Sequence, residues 1–441
     1  MSSPPNILLI ITDQQSADAM SCAIGNEWLN TPAMDSLAAN GVRFDRAYCS
    51  HPLCVPSRTA MFTGHYPHET GVLSNNDERR DISSVPCVGA LLRDAGYDTG
   101  YIGKWHLPYP IDNTQLHGFS YCADNRCNEA DLYLNDLAIR FIQTQRDAPF
   151  FLVASYNNPH NICEWARGAR GELPDGSIGV PPGTGELPPL KPNHLPQENE
   201  PDAVTLLRRS YHASPTFPVG NFSERDWREY RWAYYRMVEW IDRRVAALRD
   251  AINTNGLRET TAVIFVSDHG DSQGAHRWNQ KTVLLDESTR VPCIVSYPQR
   301  VAAGVSNALV QTGIDLVPTL CDLANLNPPT GMHGRSMLDL LSGTAERPYI
   351  VAQTRFVQGA HIDGEKPVVD GRMVRSRRYK YCVYDCGTRR ESLVDMETDP
   401  GETINVADNS DYASVLHQHR RWLREFCAET SDPFPVARPV P

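Results

Sequence analysis

Four places in this chain set acid, amide, amine or imidazole groups just after an apolar run. Asp13 and Gln14 follow ILLII, and Lys104 and His106 follow YIG. His160 follows FFLVASY and a short Asn-Asn-Pro, and Asp268 and His269 follow AVIFVS. Two chemistries separate within this set. Asp13, Gln14, Asp268 and His269 offer oxygen ligands and one imidazole, which suits a hard divalent cation (calcium first, manganese or magnesium next) better than zinc. Lys104, His106, His160 and, further along, Lys281 are cationic or become so on protonation, and they suit a tetrahedral anion. Lys104 and His106 lie two apart, so in an extended segment they point to one side. Cys54, in CVPSRTAMFTG, stands where a helix begins. A helix start favours anions and lowers a thiol's pKa. By type alone this cysteine is a thiol nucleophile, half of a disulfide, a metal ligand or a target for modification.

Groups this far apart in sequence act together only if strand ends converge. Apolar runs alternate with helical patterns, which predicts an α/β fold: a large, mostly parallel sheet covered by helices on both faces. In such sheets ligands bind beyond the carboxyl ends of the strands. Thr31-Pro32 predicts an N-cap and first helical position. Further helices are expected over 84–96, 129–146 and 226–254. Trp227, Trp232 and Trp240 on the last of these read as packing. Residues 168–202 are rich in Pro, Gly, Asp and Glu and read as a long loop inside an insertion spanning about 161–226. Past residue 355 the pattern turns to short strands and a helix near 410–428. The chain therefore divides into 1–354, a catalytic domain, and 355–441, a small antiparallel sheet with a helix.

Bulk properties narrow the partners. A net charge of −11 disfavours nucleic acid and anionic membrane. No run is long and apolar enough to insert in a membrane. Twelve cysteines in 441 residues do not make a disulfide scaffold, and no Cys-x-x-Cys pair points to zinc. The start, MSSPPNILLI, lacks the form of a signal peptide, so the chain as given reads as cytoplasmic, or periplasmic or secreted if a leader was trimmed.

Several blocks, in order, resemble type I sulfatases of the alkaline-phosphatase-like superfamily. They are Cys54-Val55-Pro56-Ser57-Arg58 with Thr63-Gly64, Tyr66-Pro67-His68 and Gly71; Gly103-Lys104-Trp105-His106; and Ser267-Asp268-His269-Gly270. Lys281 with Glu287-Ser288-Thr289-Arg290-Val291-Pro292, then His333-Gly334-Arg335-Ser336 and RYKY…DMETDPGE, complete the set. The resemblance implies that a formylglycine-generating enzyme oxidises Cys54 to an aldehyde, whose hydrate attacks sulfur and then expels sulfate. It implies that Asp13, Asp268 and His269 bind the metal with the oxygen on residue 54. Gln14 stands where a second aspartate is commoner, which removes one negative charge. Arg58 would bind the diol and the ligand carboxylates, and Lys104 and Lys281 the sulfate oxygens. His106 would take the proton that triggers elimination. His160 would protonate the leaving alcohol, a role that asks for a group titrating near neutral pH.

The substrate expected is a sulfated carbohydrate. Trp165, Arg167, His117, Arg277 and Trp278 are the candidate sugar contacts, from their nearness in sequence to the matched blocks. The same resemblance admits choline sulfate, phosphodiesters or phosphonate monoesters as substrates. A sulfated-glycan binder without turnover follows if Cys54 stays unmodified.

Overall fold

A computed structural model describes residues 4–124, 131–170 and 173–435. Eight strands form the main sheet: β1 (Asn6–Asp13), β2 (Val42–Tyr48), β3 (Asp98–Gly103), β4 (Tyr121–Ala123), β5 (Phe150–Pro159), β6 (Thr261–Ser267), β7 (Cys293–Ser296) and β8 (Gly304–Gln311). Their order is β4-β3-β5-β1-β6-β7-β2-β8, and β7 alone among them runs antiparallel to its neighbours. The central strands β1, β5 and β6 are apolar along most of their length because both faces are covered. Ile7, Leu9 and Ile11 enter one core, and Leu8 and Ile10 enter the other. This is the two-residue alternation of a strand applied to a doubly buried sheet. The helices Cys54–Thr63 and Thr312–Leu323 cover the first face, and Pro32–Ala39, Asp131–Gln143 and Glu224–Thr254 cover the second.

Local signals were mostly placed correctly, with informative exceptions. The long helix starts at Glu224 rather than 226 because Ser223 and Asp226 form a reciprocal capping box. Thr31 occupies the N-cap position of its helix but does not cap it; its hydroxyl bonds Ser21 and Asp35. Asp242, from the long helix, instead accepts from the Ala33 and Met34 N–H groups at 3.1 and 2.8 Å. The expected helix over 129–146 is found at Asp131–Gln143, residues 129 and 130 lying outside the described set. Between 173 and 202 the insertion is largely irregular. Arg228 of the long helix holds it through the carbonyls of Thr184, Leu187 and Pro188, and Arg231 through that of Pro189.

A second, antiparallel sheet runs β12-β11-β10-β9, from β9 (Tyr349–Phe356), β10 (Val369–Ser376), β11 (Tyr379–Tyr384) and β12 (Glu391–Asp395). A division at 354/355 cuts through β9. This strand pairs with β10 along its whole length, from Tyr349 opposite Ser376 to Phe356 opposite Val369. One face, with Val351, Val374 and Tyr381, packs on the Ala413–Thr430 helix. The other, with Ile350, Ala352 and Met373, packs on Tyr211, Trp278 and Leu284 of the main domain. No helix among the described residues is long and apolar enough to cross a membrane.

Candidate active site

The carboxyl ends of β1, β3, β5 and β6 converge as a parallel sheet requires. Asp13 ends β1, and Gln14 turns away in the left-handed region at φ 71°. Lys104 follows β3 through Gly103, whose φ is 113° and whose absent Cβ would lie 1.8 Å from the Ser155 carbonyl oxygen. Only glycine permits that approach, and it lets the Lys104 N–H bond the same oxygen at 2.8 Å. Asp268 and His269 follow β6. Cys54 opens its helix, whose residues are all buried. Lys281 arrives on the loop 273–282, where Gln273, His276, Arg277, Gln280 and Thr282 all have positive φ. Such backbone persists only where surroundings over-determine it. Here the Thr282 N–H is tied to the Pro52 carbonyl at 2.9 Å, and the Thr282 carbonyl to the Thr354 hydroxyl at 2.9 Å.

Ligand atoms of Asp13, Cys54, Asp268 and His269 all lie within 4.8 Å of one another, and all four residues are buried. Cys54 Sγ stands 3.2 Å from His269 Nε2 and 3.2 Å from Lys281 Nζ. The His269 Nδ1–H donates to the Gly270 carbonyl at 3.0 Å, which turns the Nε2 lone pair toward the cluster. Arg58 is wholly buried beneath. Its Nε donates to Asp268 at 2.8 Å and its Nη2 to Asp13 at 3.3 Å. Its Nη1 donates to Ser155 Oγ at 2.8 Å and to the Lys104 carbonyl at 3.0 Å. Lys104 Nζ pairs with Asp13 at 2.8 Å and bonds Asn157 Oδ1 at 3.2 Å.

Charge follows geometry. Burial alone would raise the Asp13 carboxyl, but Lys104, His160, Lys281 and Arg58 outweigh it and hold it well below the usual range. Burial and the neighbouring Asp13 push Asp268 up to about 6. Burial and Asp13 would also raise the Cys54 thiol; Lys281, Lys104 and His269 reverse this and depress it well below its ordinary value. Buried oxygen donors and one imidazole around one point fit a hard divalent cation, and two lysines beside them fit an anion.

His106 and His160 lie nearer solvent, each partly accessible and each with an Nδ1 that has no partner among the described residues. His160 departs from the expectation of a group titrating near neutrality. Burial lowers its pKa, and the Lys104 and Lys281 charges lower it further, so the free imidazole is neutral at pH 7. Gln14 reaches the cluster indirectly: its Oε1 accepts from Lys281 Nζ at 2.7 Å, and its Nε2 donates to Asp271 at 2.7 Å.

Three of the five proposed sugar contacts are placed elsewhere. His117 is fully buried, its Nε2 on the Ile111 carbonyl at 3.0 Å and its Nδ1 accepting from the Phe119 N–H at 3.1 Å. Trp165 packs edge-on against Tyr230 in the core, with Arg170 over its face at 4.5 Å. Trp278 is buried against Tyr211, ring centroids 4.9 Å apart, under the small sheet. Large aromatics close a core wherever they cover area, and nearness in sequence does not bring them to a surface. Arg167 and Arg277 remain exposed. Sequence reasoning passed over Ser155 and Cys163, whose Sγ lies 3.5 Å from Gln14 Nε2, and gave no role to Asn157, noted only within the Asn-Asn-Pro after FFLVASY. No sequence signal marks Ser155 or Cys163, since one sits inside β5 and the other resembles any core cysteine.

Strand ends that gather Asp13, Asp268 and His269 with Cys54 into a buried cluster compatible with a metal, beside Lys104 and Lys281, fit a hydrolase of anionic esters. Comparison with known proteins gives the family: residues 5–326 match the Sulfatase model, and residues 274–429 match the model of the N-sulphoglucosamine sulphohydrolase C-terminal region. The chain belongs to the sulfatase family. It is 30% identical over 453 residues to a Delta 4,5-hexuronate-2-O-sulfatase of Bacteroides thetaiotaomicron, covering 98% of this chain and 90% of that one. It is 28% identical over 470 residues to an ulvan-active sulfatase of Formosa agariphila, covering 98% and 82%. The solved structure of a 2-O GAG sulfatase superposes with a TM-score of 0.84 at 28% identity, covering 99% of this chain and 94% of that one.

Proposed function

We propose that this sulfatase removes sulfate from a sulfated saccharide, using a formylglycine made from Cys54 and a calcium ion held by Asp13, Asp268, His269 and the amide oxygen of Gln14. The observation that carries the reading is one cluster: Asp13, Cys54, Asp268 and His269 within 4.8 Å, with Lys281 Nζ 3.2 Å from the sulfur. A hydrated aldehyde at residue 54 supplies an oxygen nucleophile that can later release sulfate. The cation supplies charge neutralisation at the sulfate oxygens and lowers the pKa of an oxygen bound to it.

The remaining work falls to side chains. Arg58 fixes both carboxylates by bonding each of them. Lys104 and Lys281 bind sulfate oxygens from inside the pocket, where low dielectric strengthens each contact. His106 receives the proton lost from residue 54 as sulfate leaves. His160 donates to the departing alcohol; burial first and the lysine charges second keep its ring neutral, and an anion between it and the two lysines offsets the second of these. The saccharide reading draws on the relatives' names, a hexuronate-2-O-sulfatase and an ulvan-active sulfatase among them.

Two measurements test this. Mass spectrometry of the peptide holding Cys54, after co-expression with a formylglycine-generating enzyme, should show an aldehyde; a thiol throughout would leave a binder without turnover. Rates on sulfated mono- and disaccharides should exceed those on choline sulfate and a phosphonate monoester. Preference for either of the latter overturns the saccharide assignment.

A further inference from the structure

The side-chain amide of Gln14 lies between opposite charges. Its Nε2 donates to Asp271 Oδ2 at 2.7 Å, and its Oε1 accepts from Lys281 Nζ at 2.7 Å. An amide between a carboxylate and an ammonium has one favourable orientation, because turning it over sets oxygen against oxygen and N–H against N–H. Lys281 Nζ also stands 3.2 Å from Cys54 Sγ and 4.0 Å from Asp13 Oδ1. The amide oxygen is therefore on the cluster side and the nitrogen on the far side. An amide oxygen has two lone pairs; one accepts from Lys281, and the other faces only a weak contact from the Cys163 thiol at 3.7 Å, which a cation would displace.

Asp271 is itself fixed. It is fully buried, and its Oδ2 also accepts from the Tyr230 hydroxyl at 2.9 Å and the Gln280 N–H at 3.2 Å. Its Oδ1 accepts from the Gln273 N–H at 2.7 Å. Tyr230 comes from the long helix that covers the sheet, so the brace reaches the site from a separate layer of the fold. None of the catalytic steps above uses Asp271 or Tyr230.

We propose that Asp271, steadied by Tyr230, is a positioning residue: it holds the Gln14 amide with its oxygen toward Asp13, Asp268 and His269, so that glutamine serves as a neutral oxygen ligand. The inference rests on the cation-binding reading of this site. A carboxylate at position 14 would present an oxygen in either orientation and need no such partner. An amide presents one in only half of its orientations, and the brace removes the wrong half.

The test is calcium affinity, read by competition with a fluorescent chelator on enzyme stripped of metal. Asp271→Asn keeps the shape and removes the charge; it should weaken calcium binding by about 10-fold or more, the usual cost of losing a partner that orients a ligand. In a Gln14→Asp background the same substitution should change affinity by no more than about twofold, since no amide remains to be oriented. Tyr230→Phe, which leaves the carboxylate in place, should weaken binding by a smaller factor, and again only when residue 14 is glutamine. It carries the comparison if Asp271→Asn fails to fold by thermal unfolding without metal. Wild-type affinity in Asp271→Asn, or equal losses in both backgrounds, overturns the proposal. A wild-type protein that binds no divalent cation instead sinks the metal site itself.

Discussion

The floor of the pocket and its rim are built by opposite rules. On the floor, Arg58, Asp13, Asp268 and Lys104 are almost wholly buried and each is bonded to another of the set. The rim comprises the site candidates nearer solvent: His106 and His160 are partly accessible, each with a ring nitrogen unpartnered among the described residues, and Arg167 and Arg277 are exposed. The floor is over-determined because unpaired charge in low dielectric is costly. The rim is under-determined because water satisfies what the protein does not. The comparison teaches where chemistry and selectivity separate: the floor fixes what is done to an anionic ester, and the rim is free to vary with what carries it.

The sharpest way to break this division is at Cys54. Cys54→Ala removes the only side chain that the reading makes a nucleophile, and should lower kcat/KM on every substrate by about 10⁴-fold or more. The fold should hold, since the packing lost is one small buried group. Substantial turnover of any sulfate ester by this variant would mean that the floor does not do the chemistry.

Arg58 tests the same floor through stability. Arg58→Met leaves the Asp13 and Asp268 carboxylates buried without their guanidinium. Breaking one side of a buried pair costs about 3–5 kcal/mol, which denaturant titration would show. The exposed Arg277→Ala should change stability by less than about 0.5 kcal/mol. Comparable losses at the two positions would erase the contrast between floor and rim.

His160 lies on the boundary, and its titration sharpens where the boundary runs. Burial, Lys104 and Lys281 all lower its pKa. Lys281→Met removes one of these charges, so the imidazole should protonate at higher pH than in the wild type, as followed by the ring proton resonances. An unchanged or lower titration point would mean that the lysine charge does not reach the rim.

The same division explains what could be read from sequence. The floor was legible because each of its groups follows an apolar strand run or sits in an ordered motif. A parallel sheet turns that one-dimensional pattern into a convergent site. The start of β9 was not, because YIVAQTRF is buried on both faces and reads like a strand of the main sheet. The brace behind Gln14 was hidden for another reason: Tyr230 sits on a helix whose aromatic residues mostly pack the core, and only the closed fold puts its hydroxyl on Asp271. Sequence nearness misled most at Trp165, Trp278 and His117. A residue beside a catalytic block is as free to face the core as the pocket, and burial of a large ring favours the core.

Arg167 and Arg277 are what remains of the predicted sugar contacts, and they give the smallest and most specific expectation. Arg167 is held by the Thr216 carbonyl at 3.0 Å and by Glu164 at 3.3 Å, so its charge is partly spent within the protein. Arg277 lies on the positive-φ loop that carries Lys281; its carbonyl accepts from His212 Nε2 at 2.8 Å, and its side chain is exposed. An exposed cation contributes little to a neutral aryl group and about 1 kcal/mol to an anionic sugar. Arg277→Ala should therefore lower kcat/KM on a sulfated, carboxylated saccharide by about five- to tenfold and leave a small aryl sulfate unchanged, with Arg167→Ala showing the weaker form of the same split. An equal loss on both substrates would place Arg277 with the floor, acting through the Lys281 loop rather than through the sugar.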